Sequence, residues 1–126
     1  MAELTLKQQR ILFTRLFSEF VLWCFDNGFD VAYDQVKRTE LEAKANAATG
    51  AGIAQSVHID GLAGDLLLYI NGDYQQSSEA YAPLGRKWKS MHPLCRWGGD
   101  FKIVKKGKTI PKPDGNHFST EWQGRK

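Results

Sequence analysis

From Thr5 to about Asp26 the apolar positions recur every three or four residues. Phe13, Leu16, Phe17, Phe20 and Cys24 share one side, Leu12 and Trp23 flank it, and Lys7, Arg10, Arg15 and Glu19 fall opposite. That period predicts an amphipathic helix with its apolar stripe toward a core. Thr5 is placed to cap its start and Asn27-Gly28 to end it. The period then shortens: Phe29, Val31 and Tyr33 alternate with Asp30, Ala32 and Asp34, as in a half-buried strand. The Ala, Glu and Lys content of Glu40 to Ala48 predicts a short helix, and Thr49-Gly50-Ala51-Gly52 a flexible stretch. Asp65 to Ile70 reads as a strand, followed by the hairpin signal Asn71-Gly72. Ser78 to Trp88 is compatible with a helix despite Pro83 and Gly85. Trp97-Gly98-Gly99-Asp100-Phe101 would begin another strand, Lys105 to Lys112 reads as a basic loop, and His117-Phe118 starts a last strand. This order predicts a small α+β domain, with helices packed against an antiparallel sheet.

The chain has 126 residues, 42% hydrophobic and 25% charged. That suffices for one domain with a core and is too short for two of ordinary size, so residues 1–126 are expected to form a single domain. A net charge of +3 is too weak to argue for nucleic acid and is compatible with an anionic surface such as a cell envelope. Cys24 and Cys95 form no C-x-x-C pair and are expected as reduced thiols. The amino terminus has no basic segment followed by an apolar run, so no secretory signal is expected. Arg15, Glu19 and Asp26 interrupt Ile11 to Phe29, which excludes that run as a membrane span.

Two short segments carry the candidate chemistry, Ser56 to Asp65 and Asp114 to His117. They supply two imidazoles, His58 and His117, a carboxylate at Asp65 and a second carboxylate at Asp114. Three nitrogen or oxygen donors with a fourth position left to water is the composition of a catalytic zinc site. An acid three residues before the last histidine could serve as proton acceptor there. Gly61 and Gly64 argue for a loop running into a strand at Asp65, a corner that can bring His58 and Asp65 to one ion. Each residue alone has a plainer reading: a hydrogen-bonded or surface histidine, or an aspartate that forms a turn beside glycine.

The pattern as a whole narrows the choice. Ser56 to Asp65 reads S-x-H-x-x-G-x-A-x-D, Trp97 to Phe101 reads W-G-G-D-F, and Asp114 to Phe118 reads D-x-x-H-F, in that order. From about Val31 to Phe118 the chain resembles the family of zinc D-Ala-D-Ala carboxypeptidases and L-alanyl-D-glutamate endopeptidases, which includes many bacteriophage endolysins. The resemblance implies a fold like that of the Hedgehog domain and the D-Ala-D-Ala peptidases. It implies zinc held by His58, Asp65 and His117, and Asp114 as general base. It also implies Arg38 holding a substrate carboxylate and Ser56 helping to bind substrate. The glutamine that often follows that arginine in relatives is not evident here, and Arg38 could instead pair with Glu40 or Glu42. Asp100 could orient a ligand histidine or serve in a turn or at a strand end. His92 matches no motif position and is expected at the surface, and Trp88 and Trp97 are expected in the core or the cleft wall.

The function so implied is hydrolysis of the peptide stems of bacterial peptidoglycan. The expected form is an endolysin with L-alanyl-D-glutamate endopeptidase activity. It would be a monomer made in the host cytoplasm, without membrane anchor or nucleic-acid partner, that reaches the periplasmic wall through a holin-made pore. The alternatives are a D-Ala-D-Ala carboxypeptidase or dipeptidase, and a non-catalytic peptidoglycan-binding module.

Overall fold

The structure, a computed structural model, describes residues 3–35 and 60–126. The expected helix Glu40 to Ala48 lies outside them, as do Arg38, Ser56 and His58. Helix α1 is Leu6–Asp26, with strands β1 (Asp30–Gln35), β2 (Ala63–Ile70) and β3 (Asp73–Gln75) after it. A short 3-10 turn, Ser78–Tyr81, leads into α2 (Ala82–Met91). Then come β4 (Cys95–Trp97), a second 3-10 turn (Gly98–Asp100), β5 (Lys102–Lys105), β6 (Lys108–Pro111) and β7 (His117–Thr120). The fold is α+β, as the order of periodicities predicted.

Helix α1 starts with a capping box: the Thr5 hydroxyl accepts from Gln8 N at 3.1 Å, and the Gln8 side chain accepts from Thr5 N at 2.9 Å. It ends at Asn27, with Gly28 at φ 83°. Phe13, Leu16, Phe17, Phe20 and Cys24 are all buried. Phe13, Phe17 and Phe20 meet Trp88 of α2, and Phe20 also meets Phe118 of β7. Gln9 is buried as well, a position the apolar period passes over. Its amide donates to Thr120 Oγ1 and Glu121 O, at 3.1 and 2.7 Å, tying α1 to the end of β7.

The main sheet runs β1-β2-β7-β4, all antiparallel, and β3 also pairs with β2. Strand β1 occupies one edge of β2 opposite Asp65 to Tyr69, so the other edge is divided between β7, at Ala63 to Asp65, and β3, at Leu68 to Ile70. Between these two partners the ladder has a gap. The hydroxyl of Tyr81 fills it, accepting from Leu68 N at 3.0 Å and facing Leu66 O and Gln75 O at 3.2 Å each. Burial raises the pKa of this phenol.

Three expectations need correction. Lys105 to Lys112 is not a loop: Lys102–Lys105 and Lys108–Pro111 pair as a separate two-stranded sheet. Ile103, Val104, Thr109 and Ile110 supply the strand character. Lys106 and Gly107, at φ 52° and 75°, make the tight turn, a signal hidden among the lysines. Trp97 ends a strand instead of beginning one, because the two glycines after it enter a 3-10 turn. His92 is half-buried: its Nδ1 accepts from Leu94 N at 3.1 Å, which turns the chain from α2 into β4. The Ser78–Trp88 region is helical but in two pieces, with Pro83 tolerated in the first turn of α2. Among the described residues no helix is long and apolar enough to cross a membrane.

Candidate metal centre

Asp65 and His117 stand directly opposite each other in the β2–β7 ladder. Opposed residues of an antiparallel pair project to the same face with Cβ atoms about 5 Å apart. Here Asp65 Oδ1 lies 3.3 Å from His117 Nδ1, and both side chains are nearly buried. The other ring nitrogen, Nε2, is 2.7 Å from a main-chain oxygen of Lys126. That oxygen only accepts, so Nε2 carries a proton. Two donors of a tetrahedral zinc ion, each at roughly 2.0–2.2 Å, stand about 3.4 Å apart. The observed separation fits such an ion.

The acid loop is built by main-chain contacts. Asp114 O accepts from His117 N at 3.1 Å, so Asp114 to His117 form a turn at whose start Asp114 is exposed. Asp114 N in turn donates to Gly98 O at 2.8 Å. A Cβ at Gly98 would collide with Asp114 O and His117 Cβ, so only glycine lets the two segments approach this closely. The Trp97 ring lies against Gly85 and Gly99, where side chains would strike it, and its indole N–H donates to Gly115 O at 2.7 Å. Ser78 Oγ accepts from Gly115 N at 3.0 Å. The W-G-G segment is thus the bracket of the acid loop. A cleft of about 200 Å³ runs beside it, with Tyr74, Gln75, Ser78, Asp114 and Asn116 in its wall.

Of the six residues singled out in the sequence, Asp65 and His117 are brought into contact and Asp114 is placed one turn away from His117. His58, Ser56 and Arg38 lie outside the described residues. Asp100 ends the second 3-10 turn and makes a 2.7 Å ion pair with Lys89 at the surface. Trp88 is fully buried and donates to Arg96 O and Ser119 O, at 3.1 and 3.0 Å. Cys24 and Cys95 are free, buried thiols, each pushed up to about 12 by burial.

Residues 122–126 also reach the site, which no pattern in the sequence announced. Trp122 and Arg125 exchange two main-chain hydrogen bonds of 2.9 Å around Gln123-Gly124, both at positive φ. The hairpin so formed sets Lys126 O against His117, where Ser119 Oγ also donates to it at 2.8 Å. It also sets the Arg125 guanidinium 2.6 Å from the Asp60 carboxylate.

An α+β sheet carrying a buried aspartate–histidine pair with an acid one turn away defines the architecture and its candidate centre. Neither a protein-family model nor a curated protein matches the chain. Among solved structures the fold is similar to that of the L-Ala D-Glu endopeptidase ChiX of Serratia marcescens. The TM-score is 0.60 and the identity 19%, over 89% of this chain and 77% of that one. Likeness at that identity is a likeness of fold.

Proposed function

We propose that this chain is a zinc-dependent peptidase that cuts the peptide stems of bacterial peptidoglycan, between L-alanine and D-glutamate, and acts as a phage endolysin. The observation that carries the reading is the Asp65–His117 pair, whose 3.3 Å separation suits a shared cation. His58 is assigned as the third ligand on the motif, and the fold neighbour, itself an L-Ala D-Glu endopeptidase, supports the substrate class. The same reading makes the chain a monomeric enzyme released to the wall through a holin-made pore.

In this reading Asp65 and His117 hold the ion from adjacent strands, so its position is set by the sheet. When bound, zinc polarises the scissile carbonyl and makes water a better nucleophile near neutral pH. Asp114, exposed at the site's rim, takes the proton of the attacking water and delivers it to the leaving amine. Arg38 and Ser56 are assigned to the substrate, the guanidinium fork matching a stem carboxylate.

Two measurements test this together. Protein reconstituted with zinc is expected to carry one ion per chain, lost in His58→Ala and His117→Ala. Digestion of purified peptidoglycan is expected to yield new amino-terminal D-glutamate. New D-alanine termini would make the enzyme a carboxypeptidase or dipeptidase. Zinc content unaffected by either substitution would remove the metal centre.

A further inference from the structure

We propose that the Trp122–Lys126 hairpin is a clasp that positions His117 for the metal and ties β7 to Asp60, with Arg125 and the Lys126 main-chain oxygen as its two contacts. The proposal rests on the zinc reading above. Lys126 O accepts from His117 Nε2 at 2.7 Å and is itself fixed by Ser119 Oγ at 2.8 Å. That contact puts a proton on Nε2 and holds the ring in the plane in which Nδ1 faces Asp65. Arg125 binds Asp60, two residues beyond His58, at 2.6 Å. One hairpin thus holds the imidazole of β7 directly and pairs with the Asp60 carboxylate just ahead of β2. The hairpin is itself preorganised: Gln123 and Gly124, at φ 50° and 77°, form the two-residue turn whose twist suits paired strands. Trp122 packs against the core and anchors its base.

The clasp predicts that metal affinity, not folding, depends on residues 123–126. Zinc affinity would be measured by chelator competition in wild type, Arg125→Ala, Arg125→Lys and a chain lacking Gln123–Lys126. Outer contacts of metal ligands typically contribute about 10–100-fold in affinity. The shortened chain is expected to bind zinc about 10–100-fold more weakly, Arg125→Ala to fall between it and wild type, and Arg125→Lys to recover part of the loss. The circular dichroism of the metal-free proteins should be unchanged. Unchanged or tighter binding in the shortened chain would overturn the clasp, the tighter result making the hairpin a plug. If the shortened chain does not fold, Arg125→Ala decides by the same criterion. Ring ¹⁵N shifts of the zinc-loaded wild type give an independent readout, with His117 expected to keep its proton on Nε2 and to bind through Nδ1. Ligation through Nε2 would overturn the proposal. Wild type that binds no zinc would instead sink the underlying reading, and the clasp with it.

Discussion

Removing a single oxygen from Tyr81 should destabilise the fold measurably without touching the candidate centre. In Tyr81→Phe the ring still fills its buried place, but Leu68 N loses its acceptor and Leu66 O and Gln75 O lose their donor. Leu66 and Leu68 are both fully buried, so water cannot replace the hydroxyl without opening the sheet. One buried N–H left without a partner costs about 1–3 kcal/mol. The carbonyls, with a second lone pair each, should add less. For a domain of this length a change of 1 kcal/mol moves Tm by roughly 3–5 °C, so a loss near 2 kcal/mol corresponds to a drop of about 6–10 °C. Thermal unfolding, together with urea denaturation at unchanged m, measures this directly. Tyr74→Phe, at a half-exposed ring of the same hairpin, is the control and should stay within about 0.5 kcal/mol of wild type. A Tyr81→Phe variant equally close to wild type would refute the reasoning that the phenol bridges the gap between β3 and β7.

Asp114→Ala is expected to retain zinc and fold while losing about 10²–10⁴ in turnover, measured by steady-state kinetics on a defined muropeptide. Loss of metal together with activity would make Asp114 a ligand or a structural turn residue. Arg38→Lys should impair kcat/KM nearly as much as Arg38→Ala, because an ammonium keeps the charge but not the planar two-point contact. A surface pair with Glu40 or Glu42, at about 0–1 kcal/mol, would leave activity unchanged. Cys24 and Cys95 should resist a thiol reagent in the native protein and react on addition of denaturant. Their folded pKa values of about 12 lie above the ordinary 9.0, so the neutral thiols favour the folded state. That stability is fully present below pH 9 and is lost as pH rises toward 12, which urea titrations across this range would follow.

Local structure was legible in the sequence wherever one side chain decided it. Thr5, Gly28 and Asn71-Gly72 mark boundaries through capping and positive φ, and the structure places those boundaries there. The five apolar residues from Phe13 to Cys24 announced the buried face of α1 because period and burial coincide in an amphipathic helix. Gln9 escaped notice because its burial depends on acceptors at Thr120 and Glu121, more than a hundred residues away. The β5–β6 strands were hidden by alternation with lysine, since a ladder exposed on both faces has no apolar side to reveal it. For the candidate centre, the motif singled out Asp65, Asp114 and His117, but not the register that sets the first opposite the last. The contributions of Arg125 and Lys126 come from backbone geometry and one ion pair, neither of which leaves a mark on residue type.

The pairing of Asp65 with His117 also governs when in folding the centre can exist. The β2–β3 and β5–β6 hairpins close through turns of two residues and can form within microseconds. The β2–β7 ladder instead joins residues 63–65 to 117–119, so about fifty residues of chain must be brought to order before its first hydrogen bond is made. No partly folded chain that lacks this ladder presents the two side chains to one ion. On the proposed function, hydrolytic competence would arrive only once this non-local ladder forms and would vanish with an excursion that peels β7 from the sheet. On the same reading metal capture would mark the completed topology, and bound zinc would in turn favour the state in which β7 is docked, by mass action alone.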